Sequence, residues 1–218
     1  MRKLLGIFGI ATIILVLAPG AKADGPLVVT IDTPNSGLSS TPGPYATVSV
    51  TLSGSTIHIA VADYPGFTFF GTSSGNNGMF GFNVVGSTTG LTATNFVSNE
   101  GSGAASGLAW SNSSGQMDGF GNFNRIIYDA AGPSDKSFTD FSFDLDRTGG
   151  FSSVYDVFEL SCGGEACAHF VIHVAPTNGN PTGFAGDGGT QVPEPGTLAL
   201  FGSGLLGLAC VIRRRLSL

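Results

Sequence analysis

Charge is what this sequence lacks most. Asp, Glu, Lys and Arg together make up 11 % of it, against about 25 % in an average soluble domain. The few bases are also unevenly placed: Arg2, Lys3 and Lys22 lie at one end and Arg213, Arg214 and Arg215 at the other. Between Asp24 and Val192 only Arg125, Lys136 and Arg147 remain, against fourteen acids. Such a segment repels phosphate backbones, which argues against nucleic acid as a partner, while it stays soluble and attracts cations. Chemistry-bearing residues are equally sparse. There are three histidines, and the glutamates between the ends are Glu100, Glu159 and Glu165. The spacing G-x-S-x-G occurs once, at Gly71-Thr72-Ser73-Ser74-Gly75, but in a Gly/Ser/Asn-rich stretch with no helical period after it, so it is not read as a nucleophile elbow. We therefore expect no catalytic residues, no cofactor and no enzymatic activity. A secreted hydrolase stays open only through carboxylates that the fold alone would bring together. Residues 24–191 sustain no 3.6-residue apolar period, which excludes a helical domain.

Glycine and phenylalanine are abundant instead, at 34 and 17 residues in a chain of 218. The phenylalanines supply a core that a disordered chain would not have. Apolar residues alternate with polar ones over residues 46–52, 56–61, 80–85, 120–128, 138–145, 154–160 and 168–174, with Gly, Asn, Ser and Pro clusters between the runs. This is the period of half-buried strands. The expectation is an all-β domain over residues 24–177, an antiparallel β-sandwich of jelly-roll type with about eight to ten strands; a barrel is the alternative. Residues 34–44 read as a turn-rich loop, and residues 178–191 as a Gly/Pro-rich flexible linker.

The two ends read as addresses. Arg2 and Lys3 precede an apolar stretch over residues 4–17, and Ala21-Lys22-Ala23 is small at the positions a signal peptidase requires. Residues 1–23 are thus expected to be a signal peptide, cleaved after Ala23 to leave Asp24 first; an uncleaved anchor is the other reading. At the far end Val192-Pro193-Glu194-Pro195 precedes uncharged residues 197–212 and then Arg213-Arg214-Arg215. A helix over residues 197–212 would be roughly 24 Å long, slightly short of a ~30 Å hydrocarbon core. The arginines would stay cytoplasmic as a stop-transfer cluster, leaving the rest of the chain outside. Pro193 and Pro195 keep the segment just outside the membrane extended, as a protease needs. A plain single-pass anchor would not need that element.

This tripartite tail, residues 192–218, resembles the PEP-CTERM sorting signal of Gram-negative bacteria. The resemblance implies recognition by an exosortase-type membrane protease. It also implies a transient membrane anchor, removal of the tail, and release or attachment at the cell surface, often with exopolysaccharide; the N-terminal signal peptide in turn calls for the secretion machinery and signal peptidase as partners. Met117-Asp118-Gly119-Phe120-Gly121-Asn122-Phe123, the strand at 138–145, Ala168-His169-Phe170 and Thr182-Gly183-Phe184 resemble more weakly the domains of such proteins. The functional expectation is an exported surface or extracellular-matrix (biofilm-associated) protein. A carbohydrate- or calcium-binding module is the alternative.

Within the domain, Cys162 and Cys167 enclose Gly163-Gly164-Glu165-Ala166. In an oxidising compartment they are expected to form a disulfide that pins a hairpin. A zinc site of Cys162, Cys167, His169 and His173 is weighed against it. The histidines would lie about 13 Å apart along a strand, so no metal is expected and both are read as solvent-facing. Asp140, Asp144 and Asp146 share a strand face with Ser142 and diverge, unlike calcium ligands. The loop 112–118 matches no EF-hand pattern. His58 is read as a strand surface residue. Tyr45, Tyr64, Trp110 and Tyr128 are candidates for stacking on a sugar, against ordinary packing. Ser203 and Gly207 are a small-xxx-small pair, ordinary in membrane helices.

Overall fold

The computed structural model describes residues 24–71, 78–130 and 138–189. Ala21, Ala23, the motif Val192 to Pro195 and the cluster Arg213 to Arg215 lie outside the described residues. Asp24 is the first described residue, and its carboxylate accepts a hydrogen bond from Ser153.

The described residues form strands and short 3-10 turns. In chain order the strands are β1 (Leu27–Ile31), β2 (Thr33–Pro34), β3 (Ala46–Ser53), β4 (Thr56–Asp63), β5 (Phe67–Phe69) and β6 (Phe80–Phe82). Next come β7 (Thr92–Ser98), β8 (Gly101–Ser102), β9 (Leu108–Ser111), β10 (Gly115–Met117), β11 (Gly121–Phe123) and β12 (Arg125–Asp129). Last are β13 (Asp140–Asp146), β14 (Ser161–Cys162), β15 (Cys167–Ala168), β16 (Phe170–Pro176) and β17 (Gly183–Gly186). A six-stranded sheet has the order β1-β3-β4-β13-β7-β8. A second has the order β2-β17-β16-β6-β12-β9, with β5 also pairing with β16. All these ladders are antiparallel. The sheets are wider than the four-stranded halves of a jelly roll.

Between the sheets lies one core, and the alternation explains it. Val48 and Val50 of β3, Ile57, Ile59 and Val61 of β4, and Phe141, Phe143 and Leu145 of β13 turn inward. They meet Phe80 and Phe82 of β6, Ile127 of β12 and Phe170, Ile172 and Val174 of β16. Phe80 is the hub: its ring lies 5.7 Å from Phe141, 6.4 Å from Phe143 and 5.8 Å from Phe170. Truncating such a ring to Ala costs about 3–5 kcal/mol.

The second sheet is buried on its outer side too. Met117, Phe120 and Phe123, from the β10–β11 hairpin and its turn, pack on Ile126, Ala168, Val171 and Phe184 in a smaller second core. Gly81 of β6 lies directly beneath them. A Cβ there would sit 2.7 Å from the Met117 Cε. This second layer is why Val171, on the face expected to be solvated, is buried.

Three local expectations are corrected. Residues 154–160 are not a strand. Val154–Val157 is a 3-10 turn, with the Ser153 side chain accepting from the Tyr155 amide, and Asp156 pairs with Arg147 at 2.9 Å. The run 120–128 breaks at Asn124, whose side chain bonds both the N–H and C=O of Val84. Residues 178–191 are not one flexible linker, because β17 lies inside that stretch and pairs with β16 and β2.

Candidate functional site

The expected disulfide is present, Cys162 facing Cys167 across the β14–β15 pair with an S–S distance of 2.02 Å. It closes a hairpin that clamps the turn between β10 and β11. The Glu165 and Ala166 amides donate to Gly119 O at 3.0 and 3.1 Å. Ser161 Oγ donates to the carbonyls of Phe120 and Asn122. The approach is backbone to backbone, which is why glycine recurs in this motif. At Gly121, with φ +95°, a Cβ would fall 2.4 Å from Cys162 O. At Gly163 it would fall 2.5 Å from Gly119 O. The tip of the clamp is fixed by Glu165, whose carboxylate accepts from the Ser36 amide at 2.6 Å and from Ser36 Oγ at 2.8 Å.

Beside the clamp the domain ends in a second fastening. Asp187, 3 % exposed, accepts the His169 amide at 2.7 Å and the Phe170 amide at 3.3 Å on one oxygen. Its other oxygen lies 2.8 Å from His169 Nδ1. Phe158 stacks on the imidazole with ring centres 3.6 Å apart. Sequence reasoning placed His169 on a solvated face and Asp187 in a linker. The structure corrects both, because β16 has protein on each side. His173 is likewise not solvent-facing: it lies between Phe70 and Phe184, 4.8 and 4.4 Å from their ring centres. Its buried Nδ1 has no hydrogen-bond partner among the described residues, and burial pushes its pKa down to about 4.

The acidic row of β13 does not converge. Asp144 lies 2.7 Å from His58 Nδ1 and accepts from Asn95 Nδ2 at 2.8 Å, while Asp146 accepts from Thr56. Burial alone would raise the Asp144 pKa, but the hydrogen bonds from Asn95 and His58 and the attraction of His58 leave it lowered. At the other end burial first, and then Asp140, raise the Asp63 pKa against a backbone hydrogen bond. Among the described residues no group of three or more His, Cys, Asp or Glu is placed to hold a metal ion. Within the loop 112–118, Gly115–Met117 form β10, and Asp118 accepts from Asn35 Nδ2 at 3.3 Å.

Of the aromatic candidates, Tyr45 is fully buried with its hydroxyl on Thr41 O, and Trp110 packs against the main core. Tyr64 and Tyr128 are half-buried. Arg125, 7 % exposed, donates through Nη1 to the carbonyls of Asn112 and Asn124, and burial lowers its pKa. It ties the end of β9 to β12.

The fastened end of the domain leads straight into the tail. Among the described residues no helix is long and apolar enough to cross a membrane; residues 197–212 lie outside them. No curated protein and no solved structure matches the chain. A family model does match: the PEP-CTERM protein-sorting motif, over residues 191–215. That span begins two residues after the last described one and takes in the Pro-Glu-Pro element, the apolar stretch and the three arginines. Over those residues the chain carries the PEP-CTERM protein-sorting motif, the mark of an exported protein held transiently in the membrane until an exosortase processes it.

Proposed function

We propose that the β domain is the delivered product of this sorting route: a non-enzymatic protein of the cell surface or extracellular matrix, associated with exopolysaccharide, with its signal peptide and tail removed. The observation that carries the reading is the sorting motif at residues 191–215, directly after an all-β domain. The disulfide suits an oxidising compartment. The low base content suits a neutral or cation-bridged matrix better than a polyanion bound directly.

Fractionation of producing cells tests the role. The mature domain is expected to sediment with the polysaccharide and to be freed when the polysaccharide is digested. A domain that stays in the soluble medium in the presence of that polymer would sink the matrix role. So would a glycan-cleaving activity abolished by replacing one specific Asp or Glu, which would establish the hydrolase instead.

A further inference from the structure

A flexible tether of a dozen residues would let the domain float free of whatever binds the tail. The structure removes that slack. β17 is laced into the second sheet, Asp187 is pinned to His169 and Phe170, and Gly188 and Gly189 turn tightly against their neighbours. A Cβ at Gly188 would lie 2.6 Å from Thr33 Oγ1, and one at Gly189 would lie 3.0 Å from Leu160 Cδ1 and 3.1 Å from Cys167 O. The domain is therefore fixed up to Gly189. A chain spans at most about 3.6 Å per residue, so Pro193 is within about 14 Å of Gly189 by any path and Pro195 within about 22 Å. An enzyme that holds Val192 to Pro195 in an extended cleft has no room to do so without meeting the folded domain.

We propose that the face around Gly189, made by Leu160, Thr33 and the Cys162–Cys167 hairpin with Glu165, is the docking surface for the membrane protease that processes the tail. The proposal rests on the sorting reading above. Two further features fit this occupant. Leu160, 46 % exposed, is one of four large hydrophobic residues left exposed among those described, the others being Val28, Val85 and Val97. It stands directly beside the point where the tail departs. The surface is also built to hold its shape, through the disulfide, the two hydrogen bonds from Ser36 to Glu165 and the Asp187 fastening. A preorganised face loses little entropy on docking. The domain thereby becomes part of what the protease recognises, alongside the tail.

The experiment uses the full chain, produced together with its membrane protease, with a photocrosslinking residue in place of Leu160 or, as control, of Val97. Val97 is 43 % exposed and lies in β7 of the other sheet. The Leu160 probe is expected to trap the protease several-fold more than the Val97 probe. Leu160→Glu is expected to slow tail removal several-fold while the melting temperature stays within about two degrees. Equal trapping from both positions, capture of lipid alone by the Leu160 probe, or unchanged tail removal in Leu160→Glu would overturn the docking face and leave the sorting reading standing. An unsubstituted chain that keeps its tail beside the protease would overturn both.

Discussion

Acidification should weaken this domain through His173 in particular. His173 is held neutral between Phe70 and Phe184, with a pKa of about 4 in the fold against 6.5 for a free imidazole. Above pH 6.5 the ring is neutral in both folded and unfolded chains and costs nothing. As pH falls below 6.5 the unfolded chain takes up a proton that the folded one refuses, so stability drops until about pH 4 and then levels off. Between pH 7.5 and 4.5 the loss is roughly 2.5 kcal/mol, a large part of the 5–15 kcal/mol typical of a domain. The assay is urea unfolding of residues 24–189 at half-unit pH steps, beside His173→Phe. That variant keeps an aromatic ring in the slot and removes the buried, titratable Nδ1. It should lie within about 1.5 kcal/mol of the parent at pH 7.5 and gain on it steadily toward pH 4.5. The lowered pKa of Asp144 acts in both proteins and cancels in the difference. A difference between the two proteins that stays flat from pH 7.5 to 4.5 would refute the reasoning.

Other perturbations have equally definite outcomes. Asp187→Ala strands two buried amides and the His169 ring and should cost about 3 kcal/mol in chemical unfolding, of which Asp187→Asn recovers part. Gly121→Ala must place a methyl 2.4 Å from Cys162 O at a φ of +95°. It should destabilise by more than about 2 kcal/mol by the same assay, whereas Gly164→Ala, with nothing among the described residues within 4 Å, should cost under about 1 kcal/mol. Replacing Cys162 and Cys167 by Ser opens a short loop and should lower stability by about 2 kcal/mol, with proteolysis at residues 117–121 rising first because the clamp on that turn is lost.

The long strands were legible because their periodicity is strong. β3, β4 and β13 lie where the alternation put them, and Phe141, Phe143 and Leu145 face inward as expected. β17 was hidden because Gly183-Phe184-Ala185-Gly186 has no β-branched residue, and its glycines read as a linker. Only the close packing of Ala168 and Phe120, which leaves no space for a Cβ at Gly186, explains that composition. The histidines were misplaced for a related reason. A two-residue period marks one buried face, and it fails when a second layer covers the other, as Met117, Phe120 and Phe123 do here. The disulfide was readable from spacing and compartment. The partners it serves, Gly119 and Ser36, are 43 and 126 residues before Cys162 in the chain, beyond the reach of local pattern. The sorting tail was the most legible part, because order and charge alone define it.

The central claim is that both ends are removed from an exported domain. Mass spectrometry of the two termini of the protein purified from its native cells tests it most directly. The account predicts Asp24 as the first residue and an end close to Pro193–Pro195. A mature protein that still begins at Met1 or still carries Arg213 to Arg215 would contradict it.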